Sequence, residues 1–501
     1  MFTASETTAT ILIVLLAVGV LSWGFYRAKP FGKIGILAWL QSVVLMAPWL
    51  LFFTLFAAGI YLNLVSIIFL LVTSAGVYIF LGNKLRAASK DLPPLTRLTQ
   101  MNSTSNQVPQ AQDNLSAGEE TAKLEVIPPP ISNEDLKTIQ GIFGIDTFFV
   151  TETVPYQEGA IFKGNLRGGI EQVYSRLSSS LQTKFGDRYR LFLVENPEGK
   201  PTVVVLPSSN DPQPSTLSQK IFAVILLVLS LATGLETAGL LLNFDFFATP
   251  ERWREALPIA VGVWMTLAVH EIGHRILAKR HQIRLSWPFF IPSWQISSFG
   301  AITRFESLLP NRAVLFDISL AGPAAGGILS LIMLSAGFAL SHQGSQFQIP
   351  SQFFQGSILV GTLAKVILGS RLEASVVDVH PLVVIGWLGL VITALNLLPA
   401  GQLDGGRIVH AIYGRKIAQN TTIGTLMVLA VVSFINPANS ITLYWAIVIL
   451  FLQRNLERPS LNEITEPNDA RAALALLALF LMIATLIPLS PALAGSLGIG
   501  G

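Results

Sequence analysis

Apolar runs dominate the chain, and their lengths match a bilayer better than a soluble core. Residues 10–26, 34–58 and 59–81 form a first group, and residues 221–242, 257–278, 313–340, 381–398, 421–434, 441–452 and 472–493 form a second. A helix needs about 20 apolar residues to cross a hydrocarbon layer ~30 Å thick, so this pattern predicts a polytopic all-α membrane protein. Two apolar stretches resist the scheme. Residues 285–306, broken by Pro288 and Pro292, read as a re-entrant strand-like segment, and residues 355–371 read as an interfacial helix.

Between the two groups the pattern changes. Residues 90–130 are rich in Ser, Thr, Asn, Gln and Pro, contain no aromatic residue and close on Pro128-Pro129-Pro130, the signature of a disordered tether. Residues 131–207 then alternate helical and strand periodicity. Helices are predicted at 133–143, with Asn133 as cap, and at 170–184; strands are predicted at 146–153, 189–194 and 201–206, the last two around a turn at 195–199. A small α+β cytoplasmic domain follows. The predicted organisation is amino-terminal membrane segments at 1–86, a tether at 87–130, the α+β domain at 131–215, a second membrane domain at 216–455, and a carboxyl-terminal segment with one membrane helix at 456–501.

Charge adds orientation. Arg27, Lys29, Lys33, Lys84 and Arg86 fall on one side of the first group, and Lys220, Arg312 and the basic clusters at 275–284, 407–416 and 454–458 alternate consistently with it. By the positive-inside rule both termini lie outside and the α+β domain is cytoplasmic. Only 13% of residues are charged, 51% are hydrophobic, and mean hydropathy is +0.57. Soluble chains carry roughly 25% charged residues, so a soluble globular enzyme is excluded. A net charge of +3 argues against a nucleic-acid partner. With no cysteine, disulfides, iron–sulfur clusters, thiolate zinc and a cysteine nucleophile are also excluded, and any metal must be held by nitrogen and oxygen.

One constellation carries chemistry. His270-Glu271-Ile272-Gly273-His274 lies inside a helical apolar run, and its i, i+4 spacing puts both imidazoles on one face, a metal chelate. Glu271 then stands beside the metal, where it can take a proton from bound water. A catalytic zinc needs a third protein ligand. Asp404 is the candidate, in Asn396-Leu397-Leu398-Pro399-Ala400-Gly401-Gln402-Leu403-Asp404-Gly405-Gly406-Arg407, where Pro and Gly break the helix. Its alternative role is to cap the helix that follows.

HExxH followed some 130 residues later by NxxPxxxxDGG resembles the site-2 protease family of intramembrane zinc metalloproteases. The likeness covers residues 221–452, with Ala321-Gly322-Pro323 similar to the family's small-residue turn and Gly326 where a bacterial-type asparagine is missing. It implies zinc bound by His270, His274 and Asp404, Glu271 as catalytic base, Asn396 near the substrate, and transmembrane proteins as substrates. Gly164-Asn165-Leu166-Arg167-Gly168 and Asp378-Val379-His380-Pro381-Leu382 are similar to the plant plastid and cyanobacterial branch named for ethylene-dependent gravitropism deficiency and yellow-green leaves. In a cyanobacterium that implies a plasma or thylakoid membrane. The rival classes are a catalytically silent membrane scaffold or chaperone, which has no need of Glu271, and a metal transporter, for which the inverted repeats are missing. Asp378 and His380, which could hold a second metal, read instead as structural or interfacial because they fall on the side opposite the histidine pair, and Glu236, near a helix end, reads as exposed.

Overall fold

The computed structural model describes residues 131–499 apart from 157, 197, 294, 436–439 and 454, together with Gly32–Ala57 and scattered positions between 21 and 84. The tether expected at 87–130 lies outside the described residues, as do most of the spans expected at 10–26 and 59–81. The chain divides into two compact units, Met1–Lys123 and Leu124–Gly501. In the first, helix α1 (Gly32–Ala57) occupies the expected second span, and the Ser74 hydroxyl donates to its Val44 carbonyl.

The second unit begins with the α+β layer. Helix α2 (Asn133–Gln140) is capped by Ser132, whose Oγ accepts from Asp135 N at 3.0 Å, one residue before the expected cap. Strands β1 (Phe148–Tyr156) and β2 (Gly159–Leu166), helix α3 (Ile170–Phe185), and strands β3 (Tyr189–Glu195) and β4 (Pro201–Pro207) follow. The sheet is antiparallel in the order β1-β2-β4-β3. Val173, Leu177 and Leu181 recur every fourth residue on α3 and are buried in one cluster with Phe162, Leu193 and Val203 of the sheet. Strand β2 was not expected. Gly159, Gly164 and Asn165 spoil its alternation, but it pairs on both edges, and such pairing outweighs weak strand propensity.

Next come α4 (Leu217–Leu241), α5 (Trp253–Arg280), the strands β5 (Phe289–Ser293) and β6 (Ser297–Ile302), and α6 (Arg312–Leu340). The ribbon β7 (Phe347–Pro350) with β8 (Val376–Val379) encloses α7 (Ile358–Leu368), and α8 (Pro381–Asn396), α9 (Asp404–Ile435), α10 (Ser440–Val448), α11 (Asp469–Leu486) and α12 (Pro491–Ser496) complete the chain. Among the described residues five helices are long and apolar enough to cross a membrane: Leu217–Leu241, Pro250–Arg280, Arg312–Leu340, Asp404–Ile435 and Asp469–Leu486. The protein is thus a mostly helical membrane protein with a small sheet region. The runs at 381–398 and 441–452 form shorter apolar helices, Pro381–Asn396 and Ile441–Phe451.

Helices α5, α6 and α8 pack on one another, and α4 lies over the β5–β6 hairpin. The Pro-broken stretch forms that hairpin, antiparallel, with its register slipping between Phe290 and Pro292, the residue that has no amide to donate. Glu236 departs from expectation. It is buried near the end of α4, where its Oε2 accepts from Phe246 N at 3.0 Å and Phe247 N at 3.3 Å, so the loop's unpaired amides draw the carboxylate inward. Asp378 and His380 are structural as expected: Asp378 Oδ2 accepts from Gly344 N and His380 Nδ1 caps α8.

Residues 455–467 form a strap joining the two parts of this unit. Leu193 N donates to Leu461 O and Glu463 N to Leu193 O, while Leu461 N and Asn462 N donate to Leu309 O and Pro310 O. Ile464 packs against the hydrophobic core of the α+β layer.

Candidate metal centre

On α5 the four-residue spacing stacks His270 and His274, and both are buried. His274 Nδ1 lies 2.8 Å from the Ile318 carbonyl of α6. A carbonyl only accepts, so Nδ1 carries the proton and Nε2 presents its lone pair. That lone pair faces His270 Nε2 at 3.2 Å. Small residues let α6 come this close: a Cβ at Gly322 would sit 2.2 Å from His274 Nε2, and one at Gly326 would sit 3.0 Å from His270 Cβ.

The third donor arrives from a broken helix. After α8 ends at Asn396, two short-range bonds carry the chain through a turn, Ala400 N to Leu398 O at 2.8 Å and Leu403 N to Ala400 O at 3.1 Å, and Gly401 N reaches across to Thr422 Oγ1 at 2.9 Å. Asp404 is the first residue of α9, and its Oδ2 lies 3.1 Å from His270 Nε2 and 3.4 Å from His274 Nε2. Helix α9 breaks again at Gly414 (φ 81°), and the carbonyls freed there, on Ala411 and Ile412, accept from the Arg312 guanidinium at 2.8 and 2.7 Å. The stretch carrying Asp404 is therefore held at its far end by a buried arginine.

These donors fit a zinc ion. Tetrahedral zinc with bonds of about 2.0–2.1 Å separates its ligand atoms by roughly 3.3–3.4 Å, close to the three observed distances. With the His274 proton on Nδ1, its Nε2 lone pair faces the Asp404 carboxylate oxygen at 3.4 Å, an approach of two acceptors that a cation between them relieves. Among the described residues this is the one group of three or more His, Asp and Glu side chains that can hold a metal. Glu271 is buried beside it, and the Thr303 hydroxyl donates to both of its oxygens at 3.2 Å.

Asn396 lines the same cleft as His274 and Asp404. Its Nδ2 donates to Phe299 O of β6 at 3.0 Å and to Ile392 O at 2.9 Å, tying the hairpin to the end of α8. Sequence reasoning missed Thr303, Arg407 and Glu457. In the sequence Arg407 closes the 396–407 stretch and reads as a flanking cation, yet it is buried and paired with Glu457. Its place three residues beyond Asp404, on the helical face that carries the aspartate, was the available signal.

The family model for peptidase family M50 matches residues 258–435, and that for the EGY3 middle domain matches residues 137–214. The chain belongs to peptidase family M50, the site-2 protease family. Within that family it is 37% identical over 412 residues to the Arabidopsis thaliana protein named "Probable zinc metalloprotease EGY1, chloroplastic", covering 74% of each chain. It is also 37% identical over 378 residues to the Arabidopsis thaliana "Probable zinc metalloprotease EGY2, chloroplastic", covering 73% of this chain and 67% of that one. To the EGY1 protein of Oryza sativa subsp. japonica it is 35% identical over 418 residues, covering 75% of this chain and 72% of that one. No solved structure matches.

Proposed function

We propose that this membrane zinc metalloprotease hydrolyses peptide bonds within or near the transmembrane segments of membrane-protein substrates, with His270, His274 and Asp404 holding the zinc and Glu271 acting as catalytic base. The observation that carries this reading is the convergence of the three donor atoms, 3.1 to 3.4 Å apart, between helices long and apolar enough to cross a bilayer. When bound, zinc lowers the pKa of water towards about 7 and polarises a carbonyl. Glu271 takes a proton from the attacking water as its oxygen bonds to the scissile carbon, and delivers that proton to the amine as the C–N bond breaks. The buried setting suits this work, because a charge in a low-dielectric, water-poor site acts more strongly than in water.

A helical substrate hides its amides in its own hydrogen bonds and must unwind before its carbonyls can be reached. The β5–β6 hairpin is the surface we assign to receive it, as a re-entrant element offering a strand edge beside the cleft. Asn396 supports this from behind by anchoring Phe299, and substrate contact remains its assigned role through its place in the cleft. Both chain termini are assigned to the outside and the α+β layer, residues 131–215, to the cytoplasm as substrate filter, lid or docking module; the basic clusters support this orientation. The proposed catalytic domain is 216–455, and residues 1–86 and 456–501 are flanking membrane segments. The chloroplastic relatives support a photosynthetic membrane, plasma or thylakoid, in a cyanobacterial setting.

The test compares protein termini in membranes containing wild-type protein or Glu271→Gln at equal abundance. New termini inside transmembrane segments, seen with wild type alone, are the expected result; identical termini across growth and stress conditions would favour a silent scaffold. A proline at Ala301, which faces Phe290 in the hairpin, is expected to weaken cleavage while leaving bound zinc intact. Unchanged cleavage in that variant would remove the strand-edge assignment.

A further inference from the structure

A base that must collect a proton and then hand it on has to be held in one orientation, because proton transfer demands hydrogen-bond distance at both stages. Glu271 is a flexible side chain on a helix, and the helix alone fixes only its Cβ. Its carboxylate is gripped from the hairpin: Thr303, the residue after β6, donates one hydroxyl hydrogen shared between Oε1 and Oε2, each 3.2 Å away. That leaves lone pairs on both oxygens for the proton in transit.

Thr303 is itself held. Its carbonyl accepts from Arg407 Nη2 at 2.8 Å. Arg407 lies over the Phe305 ring at 4.8 Å and pairs with Glu457, whose Oε2 is 3.0 Å from Nε and 2.9 Å from Nη2. Arg407 follows Asp404 by three residues on α9, and Glu457 belongs to the strap. The helix bearing the third donor, the end of the hairpin and the strap thus meet at Arg407. All of these groups are buried, so losing one partner leaves the other short of a hydrogen bond.

We propose that Thr303 and Arg407 are positioning residues for the reaction: the Thr303 hydroxyl orients the Glu271 carboxylate, and Arg407, locked by Glu457, holds Thr303 in place through its carbonyl. This rests on Glu271 being the base, as assigned under Proposed function.

The experiment uses the purified full chain in proteoliposomes with a transmembrane reporter, one whose new amino terminus appears only in membranes containing wild-type protein. Thr303→Val keeps the shape and removes the donor. It is expected to lower kcat by roughly tenfold to a hundredfold, with KM, zinc per chain and melting temperature unchanged, and Thr303→Ser is expected to restore most of the rate. A wild-type kcat in Thr303→Val would overturn the proposal, as would zinc loss or a raised KM accompanying the rate loss. If Thr303→Val fails to assemble, Glu457→Gln carries the test: a kcat loss of up to about tenfold at constant KM and zinc supports the proposal, and an unaltered kcat overturns it. Glu271→Gln separates the two levels. If it binds zinc and is silent while Thr303→Val is fully active, only the positioning role fails. If it cleaves the reporter, the assignment of the base fails first.

Discussion

His270 and His274 occupy adjacent turns of one unbroken helix, whereas Asp404 opens a helix that starts after an irregular turn and breaks again at Gly414. The histidine pair is placed by helical periodicity, which any sequence able to form α5 would reproduce. The aspartate is placed by backbone contacts of the turn, by the Thr422 hydroxyl and by the Arg312 cap, none of which follows from a repeat. The spacing within one half of the centre is therefore set by a single helix, and the other half depends on several buried polar contacts made together.

The strongest way to break this contrast is Gly405→Ala. A Cβ there would sit 1.9 Å from the Leu397 carbonyl oxygen, and backbone cannot yield to it. We expect a cost above about 3 kcal/mol, with zinc content and cleavage falling together while α5 keeps its helix; zinc titration alongside circular dichroism checks this. An alanine that left zinc content unchanged would show that the turn tolerates what its geometry forbids.

Arg312→Gln tests the far end of the same stretch. It removes donors from the Ala411 and Ile412 carbonyls at the Gly414 break, and we expect about 1–3 kcal/mol of destabilisation in thermal melts, with weaker zinc binding. Equal zinc affinity in variant and wild type would mean that Asp404 is fixed by the turn alone.

The smallest expected effect is on the strap. Burial by itself would raise the Glu463 carboxyl, but hydrogen bonding and charge from His410, together with the Ser460 amide and hydroxyl, hold it below its ordinary value of 4.5. A depressed folded-state value means that stability is fully present above pH 4.5 and is lost as pH falls through the lower folded value. Glu463→Gln is expected to flatten that acid limb of the melting temperature; an identical acid limb in the variant would show that the carboxylate contributes nothing to it.

The same contrast explains what the sequence discloses. The histidines and Glu271 are legible because their relation is local, and Asp404 because its Pro and Gly neighbours announce a break. Most apolar runs and three of the four strands in the α+β layer are legible from periodicity. Thr303, Arg407 and Glu457 are not, because their contacts join residues 32, 104 and 50 positions apart and depend on how elements pack. Glu236 was misjudged for the same reason: the amides it serves become its neighbours only when the loop after α4 folds back.

The strap has a consequence for the chain's life in a crowded cell. Leu461 and Glu463 occupy backbone groups of Leu193 on the outer strand β3, so the protein guards that sheet margin with its own sequence. Were the strap pulled away, the Leu193 amide and carbonyl would stand bare at that margin, the kind of exposed strand edge on which separate molecules pair.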